Sequence, residues 1–205
     1  MKTIKVLKKS VRSVVSANKQ RFLISILFLL LGVVLGVVVS LNKDATQNIY
    51  DADSLSLFDI ITSDYQRGEL FFDSLWRLLL AVTIIFVLSL KRATFFLSFV
   101  YVAFQGFLFA ESLISVIVLS GLKGVLSGLF FILPINLLNF AVIISAQVIC
   151  WWRLNFASTY RLGTKKSLKT FAVKFAGVLV LCVVSSVVYG YLFPLLLRSV
   201  IVINY

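Results

Sequence analysis

Histidine is absent from this 205-residue chain, and cysteine, proline and acidic residues are scarce. The lack of histidine removes the commonest general base and the commonest metal ligand. The two cysteines, Cys150 and Cys182, form no CxxC pair, so the sequence predicts buried packing thiols rather than a zinc or redox site. The sequence also shows no glycine-rich phosphate loop. We therefore expect a protein that is not an enzyme and that uses no cofactor.

Charge is too low for an ordinary soluble protein. Charged residues make up 14% of the chain, whereas about 25% is usual in soluble domains. Hydrophobic residues make up 60%, and the mean hydropathy is +1.04. The run from Phe22 to Leu41 contains no charged residue. As a helix rising about 1.5 Å per residue, it could cross about 30 Å of hydrocarbon. The sequence predicts an all-α, polytopic integral membrane bundle that forms one domain over residues 1–205.

The apolar runs predict about five transmembrane helices. We expect these spans at residues 22–41, 71–90, 93–120, 121–152 and 170–193. The fourth is too long for one straight crossing, and Pro134 lacks a backbone N–H donor, so we expect a break near this proline. Residues 121–132 would then form a half-helix ahead of the main crossing.

Acidic and basic residues are segregated along the chain. Seven of the eight acidic residues fall between Asp44 and Asp73, whereas three other zones are purely basic. Basic residues beside short loops stay on the cytoplasmic side of a membrane. We therefore expect residues 1–21 and 153–169 inside, the acidic segment 42–70 outside, the N-terminus inside and the C-terminus outside.

The basic N-terminal zone has a helical hydrophobic pattern. Ile4, Leu7, Val11 and Val14 recur at helical spacing among lysine and arginine residues. This pattern predicts an amphipathic helix that lies on the anionic inner leaflet. Nucleic-acid binding is the usual alternative for a chain of net charge +12, but the membrane topology already explains the charge. We expect membrane lipid, and no nucleic acid, as a partner.

A few polar side chains fall within the predicted spans. We expect an intramembrane polar cluster of Gln105, Glu111, Asn136, Asn139 and Gln147. A charge in hydrocarbon is costly, so Glu111 should face the bundle and have a polar partner. Its role is open between an interhelical hydrogen bond and a proton or ion step. Asn136 and Asn139 follow Pro134 closely, and they either cap freed backbone groups or line a site.

Two GxxxG motifs predict close helix packing. Gly32 and Gly36 form the first motif, and Gly124 and Gly128 form the second. Small residues spaced four apart let two helix backbones approach closely. The contact is either within the bundle or with another protein, which leaves a homo-oligomer open.

The order of several elements resembles a known bacterial family. After the basic start and the GxxxG span come Gly121-Leu-Lys-Gly124 and Ile132-Leu-Pro-Ile-Asn-Leu137, and near the end comes Tyr191-Leu-Phe-Pro194-Leu-Leu-Leu-Arg198. This order is similar to that of the stage II sporulation protein M family of integral membrane proteins. The resemblance covers nearly the whole chain and implies a multi-pass protein of the bacterial cytoplasmic membrane.

The resemblance also implies a function. The sporulation member of the family recruits peptidoglycan hydrolases, stage II sporulation proteins D and P, during engulfment. We therefore expect a non-enzymatic scaffold that anchors extracytoplasmic partners in cell-wall remodelling. The partner-facing residues would be the loop acids Asp51, Asp53, Asp59, Asp64 and Glu69. The alternative is a small transporter, channel or permease subunit that uses the broken fourth helix and Glu111.

Overall fold

The computed structural model describes residues 19–42, 67–159 and 165–192. Within these ranges the backbone is helical apart from one short turn, and it contains no strand. The five α-helices are α1 Lys19–Asn42, α2 Arg67–Leu88, α3 Phe96–Ser127, α4 Leu133–Thr159 and α5 Lys165–Val187. Short π-helical segments, Gly128–Ile132 and Val188–Leu192, precede α4 and follow α5.

Each of the five helices contains a segment long and apolar enough to span a membrane. These segments are Lys19–Asn42, Gly68–Leu88, Phe96–Val118, Leu133–Leu154 and Phe171–Tyr191. The predicted all-α, polytopic membrane bundle is therefore confirmed. The predicted N-terminal amphipathic helix, most of the acidic segment and the C-terminal end lie outside the described residues.

The fourth membrane-spanning segment is Leu133–Leu154, and it follows residues 121–132, where a half-helix ahead of the main crossing was expected. Gly121 has φ 56° and ψ −130°, a conformation that glycine adopts without a Cβ clash, and it interrupts the helical path of α3. The π-helical segment then packs back onto α3, since a Cβ added at Gly128 would lie 3.4 Å from Leu113 Cδ1. Pro134 stands in the first turn of α4, directly after the π-helical segment that ends at Ile132. The interruption near Pro134 thus precedes the main crossing.

The closest helix pair in the described structure is α1 with α3. The buried face of α1 is a line of mostly small residues: Ser25, Leu29, Gly32, Gly36 and Ser40. The backbone of Ala103 on α3 occupies the place where a Cβ of Gly32 would lie. The other faces of α1 are exposed leucine, isoleucine and valine side chains, which suits contact with lipid chains. The first GxxxG motif is therefore used within the chain.

The most buried of the five spans is that of α4, which lies at the centre of the bundle. It packs against α2 and α5, with further contacts to α1 and α3. Its side chains Ala146, Gln147 and Cys150 are fully enclosed. The second cysteine, Cys182 on α5, is fully enclosed as well, so both cysteines are buried free thiols, as predicted.

Basic and aromatic side chains meet at one end of the bundle. The guanidinium of Arg21 lies 5.8 Å from the ring centre of Trp151, and the Lys174 Nζ lies 3.8 Å from that of Trp152. The guanidinium of Arg153 lies 5.1 Å from the ring centre of Phe171. Cations close to aromatic faces gain electrostatic attraction. The described members of the basic N-terminal and C-terminal zones therefore share one end of the molecule, which we call the basic end.

Candidate functional site

A groove lies between α2 and α3, with α4 as its floor. We call it the α2–α3 groove, and it encloses about 450 Å³. Its lining residues are Asp73, Ser74, Arg77, Leu78, Leu80, Ala81 and Ile84 of α2, Tyr101, Gln105, Leu108, Phe109 and Ser112 of α3, Ile132, Ile135, Asn136, Asn139, Phe140 and Ile143 at the start of α4, and Tyr189. Ligand pockets typically enclose about 300–1,000 Å³, so this groove has the size of a binding site.

The groove exists because α2 and α3 are joined at the basic end but make few contacts with one another beyond it. The turn between them is short, and Thr94 Oγ1 closes it by donating to the Leu88 carbonyl at 2.8 Å. Ile84 and Tyr101 line the groove nearest this turn, and Asp73 and Ser112 line it farthest away. On each helix the lining residues recur at intervals of about one turn, so each helix offers one continuous face to the groove.

The polarity of the lining changes along the groove. At the end far from the turn lie the carboxylate of Asp73, the guanidinium of Arg77 and the hydroxyls of Ser74, Ser112 and Tyr189. Towards the turn the lining is mainly aliphatic and aromatic, with Tyr101 and Gln105 as its polar members. The groove is therefore amphipathic: it offers polar groups at the end of the spans that is far from the basic end, and apolar surface in their interior.

An ion pair lies at the polar end of the groove. Arg77 Nε is 3.0 Å from Asp73 Oδ2, and the two side chains are more than half exposed. One helical turn separates them, a spacing that stabilises an exposed pair by only a few tenths of a kcal/mol. The pair contributes little to stability, but it places a positive and a negative group side by side at the end of the groove.

Asn136 and Asn139 both reach the groove, and each also has a structural bond. Asn136 Nδ2 donates to the Ile132 carbonyl at 2.9 Å, at the junction between the π-helical segment and α4. Asn139 Oδ1 accepts a hydrogen bond of 2.8 Å from the Ser185 hydroxyl on α5. The first bond satisfies backbone beside the helix interruption, and the second joins two helices. The two roles considered for these amides, capping and lining a site, are thus combined.

The predicted polar cluster is divided by the structure. Gln105, Asn136 and Asn139 line the α2–α3 groove, whereas Glu111 and Gln147 do not. Gln147 is fully buried near the basic end, where its Nε2 donates to Ser98 Oγ at 3.2 Å. Its Oε1 is buried without a hydrogen-bond partner. Gln147 lies eight residues after Asn139 and eleven after Asn136 on the same helix, which is about two and three turns.

Glu111 occupies a half-buried position on α3, one residue from the groove-lining Ser112. Its backbone carbonyl accepts a hydrogen bond of 2.9 Å from the Ser115 hydroxyl. Residues one apart on a helix point about 100° away from one another, so the side chains of Glu111 and Ser112 leave α3 in different directions. Glu111 is therefore not part of the α2–α3 groove.

Other predicted site residues fall in different parts of the chain. The loop acids Asp51, Asp53, Asp59 and Asp64 lie outside the described residues, and Glu69 is exposed in the first turn of α2. Gly124 is helical, and its surroundings are outside what the structure describes. Gly36 packs against α3, where an added Cβ would lie 2.8 Å from Ala110 Cβ.

Four hydroxyl-bearing groove residues were not among the predicted site residues: Ser74, Tyr101, Ser112 and Tyr189. A signal does exist on α3, because Tyr101, Gln105 and Ser112 recur at one-turn and two-turn spacing on an otherwise apolar helix. Serine and tyrosine are common in membrane spans, however, and the pattern gains meaning only when α2 and α4 supply facing groups.

The described residues contain no group of three or more histidine, cysteine, aspartate or glutamate side chains that could hold a metal ion. The groove instead offers hydrogen-bonding amides and hydroxyls, one ion pair and apolar surface, which is the chemistry of binding.

In comparisons with known proteins, no family model, no curated protein and no solved structure matches this chain.

Proposed function

We propose that this protein is a non-enzymatic membrane scaffold that holds extracytoplasmic protein partners. The acidic segment, residues 42–70, would be the surface that meets them. One observation carries the proposal: both helices that flank this segment, α1 and α2, are fixed to the rest of the bundle by close contacts. A segment tethered at both ends to immobile helices can present a partner at a defined place on the membrane surface.

The attachment of α1 is a backbone-to-backbone seam. A Cβ on Gly36 would lie 2.6 Å from the Phe107 carbonyl oxygen, and the Leu29 carbonyl oxygen would obstruct one on Gly106. Contacts this close between helices allow little relative movement, because separation forfeits many dispersion contacts at once. The helix that leads into the acidic segment is therefore held firmly by α3.

The attachment of α2 is to α5 and its π-helical extension. A Cβ on Gly190 would lie 2.7 Å from Phe71 Cβ, so the backbone of this extension lies directly against the first turns of α2. Next to it, Ser74 Oγ donates to Ser186 Oγ at 3.5 Å, and both serines are buried. The helix that leads out of the acidic segment is thus anchored close to its first residues.

The proposal includes an orientation. Residues 1–21 and 153–169 face the cytoplasm, and residues 42–70 and Tyr205 face outwards, across a bacterial cytoplasmic membrane. The gathering of Arg21, Arg153 and Lys174 at the basic end supports this arrangement, because cytoplasmic loops are enriched in basic residues.

Single cysteines would be labelled in intact cells with a membrane-impermeant reagent, in a background without Cys150 and Cys182. We expect labelling of Asp51→Cys and protection of Lys166→Cys, and the reverse pattern would overturn the orientation.

The partner class follows from charge and from the resemblance to the stage II sporulation protein M family. An acidic surface favours basic partners and raises the rate at which they are met. The resemblance adds that such partners would be peptidoglycan hydrolases, similar to stage II sporulation proteins D and P. The protein would serve to concentrate them at one site of envelope remodelling.

Affinity purification from the native membrane tests the proposal. The protein would be isolated intact, and its partners identified by mass spectrometry, for the wild type and for a variant with Asp51, Asp53, Asp59 and Asp64 changed to Asn. A matched control changes the neutral Ser54 in the same segment to Ala. We expect a wall hydrolase that is lost in the Asn variant and kept in the control. Recovery of the protein without an extracytoplasmic partner would contradict the scaffold.

The α2–α3 groove supports a second candidate, a small transporter or permease subunit, because transport sites are commonly polar cavities near interrupted membrane helices. Since Glu111 lies outside the groove, the groove amides would carry this activity.

Osmotic swelling of liposomes that contain the protein would test this transport activity with small polar solutes. Solute entry that Gln105→Trp abolishes would support transport, and swelling equal to that of empty liposomes would refute it.

A further inference from the structure

We propose that the α2–α3 groove binds one zwitterionic phospholipid, with its phosphate–ammonium headgroup at the Asp73–Arg77 pair and one acyl chain lying along the groove towards Ile84. The proposal assigns a specific lipid site, and it does not depend on the scaffold function. It rests on the length, the polarity, the charge and the accessibility of the groove.

The length of the groove matches one leaflet of a membrane. From Asp73 to Ile84 the α2 wall advances by eleven residues, which is about 16 Å at 1.5 Å per residue. Half of a hydrocarbon core of about 30 Å is about 15 Å. A lipid whose headgroup lies at the membrane surface would therefore have its chain beside the whole length of the wall.

The polarity of the lining follows that of a lipid. The end beside Asp73 carries hydroxyl and amide groups, including Ser112 and Asn136, which suit a headgroup and ester oxygens. Towards the turn the lining includes Ala81 and Ile143, which suit methylene groups. A fully polar solute would leave this apolar part unused, and a fully apolar ligand would leave the polar end without partners.

The charges at the polar end select the headgroup. Because Asp73 lies 3.0 Å from Arg77, a purely anionic headgroup would meet a carboxylate as well as a guanidinium. A zwitterionic headgroup offers a phosphate to Arg77 and an ammonium to Asp73, and arginine binds phosphate oxygens with two parallel hydrogen bonds. The matched pair thus favours a headgroup that also carries both charges.

The groove is open to the side, as a lipid site must be. Leu80 and Ile84 line it, and they are 44% and 39% exposed. Both side chains belong to a span of α2, where the surroundings would be lipid rather than water. A lipid can therefore enter sideways from the bilayer without any rearrangement of the helices.

Native mass spectrometry of the full chain in a mild detergent tests the proposal. Three probes would be titrated separately: phosphatidylethanolamine, phosphatidylglycerol and diacylglycerol, all with the same acyl chains. We expect one tightly bound phosphatidylethanolamine, with the other two at least about tenfold weaker, which corresponds to about 1.4 kcal/mol. Equal binding of all three probes, or of the anionic lipid most tightly, would overturn the proposal.

Two variants locate the bound lipid. Arg77→Gln removes the phosphate partner and Leu80→Trp fills the groove, and each should weaken phosphatidylethanolamine binding about tenfold or more. The matched controls are Glu69→Gln, which removes a charge on the same helix, and Leu30→Trp, which enlarges an exposed leucine of α1. Binding should be unchanged in both controls. Wild-type affinity in Arg77→Gln and Leu80→Trp would place the lipid elsewhere.

A second measurement on the wild type keeps the test independent of how well the variants fold. Phosphatidylethanolamine with a photoreactive group on one acyl chain would be cross-linked to the purified protein, and the labelled peptides identified. We expect label on the groove faces of α2 and α3, between Leu78 and Ile84 and between Tyr101 and Ser112. Label spread over the exposed faces of α1 and α5 to the same extent would show ordinary annular lipid and overturn the proposal.

Discussion

Replacing Gly32 by Ala probes the seam that holds α1 in the bundle. The added Cβ would lie 2.6 Å from the backbone carbon of Ala103 and 2.9 Å from its Cα, and the carbonyl oxygen would lie closer still. Non-bonded carbon atoms normally stay about 3.5–4 Å apart. Because all three atoms belong to backbone, no rotation of a side chain can relieve the contact. The two helices must therefore move apart by about 1 Å.

The cost can be worked out from this separation. A gap of about 0.5–1 Å removes a quarter to a half of the dispersion attraction between facing atoms, and overpacking of a well-packed contact costs about 1–3 kcal/mol. Alanine regains about 0.5–1 kcal/mol because it restricts the unfolded chain more than glycine does. We expect a net loss of about 2 kcal/mol in the free energy of unfolding, since the obstruction is backbone.

Equilibrium unfolding in mixed micelles, followed by circular dichroism and tryptophan fluorescence, would measure this loss. Gly177→Ala on α5 is the matched control, because nothing lies within 4 Å of the Cβ added there. We expect the control to be neutral or slightly stabilised. If Gly32→Ala were as stable as Gly177→Ala and instead changed the oligomeric state, the motif would serve contact between copies, and the intramolecular seam would be refuted.

Three further substitutions test other contacts by the same unfolding measurement. Gly190→Ala should lower stability by about 1–3 kcal/mol through its contact with Phe71, and an unchanged stability would contradict the close packing of α2 on the α5 extension. Gln147→Met should leave stability unchanged or raise it slightly, because it gives up a bond to Ser98 worth about 0.6 kcal/mol and also removes a buried unpaired oxygen. A clear loss of stability in this variant would mean that Gln147 Oε1 accepts a hydrogen bond in the membrane. Glu111→Gln should keep stability close to wild type, whereas Glu111→Leu should lose about 1–3 kcal/mol, and equal effects would contradict a hydrogen-bonding role.

The helices were predictable because the membrane imposes simple demands on a sequence. A span must be apolar over about 20 residues and must satisfy its own backbone hydrogen bonds. The uncharged run from Phe22 to Leu41 meets the first condition, and as a helix it meets the second, so it predicts a membrane-spanning helix. The basic residues Arg21 and Arg153 lie near helix ends on the sequence, and they meet aromatic rings at one end in the structure. Composition thus predicted the fold class, and the described basic residues share one end of the bundle.

The α2–α3 groove was not predictable in the same way. Its walls depend on how far α2 and α3 diverge beyond their turn, and that divergence follows from the packing of α3 on α1 and of α2 on α5. Tyr101 and Ser112 carry no sequence signal strong enough to single out such a site. The sequence marked a break between residue 121 and Pro134, but the positive φ of Gly121 that interrupts α3 is a property of the folded backbone.

The tertiary structure likewise decides which helix a GxxxG motif packs against. Gly32 and Gly36 could have served a second copy of the chain equally well on the pattern alone. The structure pairs them with α3 because that helix presents Ala103, Gly106 and Ala110 on one face, which allows close approach. The match between two small-residue faces decides the contact.

Site-specific photo-cross-linking in intact cells tests the central claim, that the acidic segment is the partner-binding surface of a fixed membrane frame. A photoreactive residue would replace Asp59 in the acidic segment or, as a control, Val173, an exposed residue of α5. The account predicts a discrete protein adduct from position 59, identified as an extracytoplasmic wall hydrolase, and lipid adducts alone from position 173. The absence of any protein adduct at position 59, or the same adduct from both positions, would contradict it.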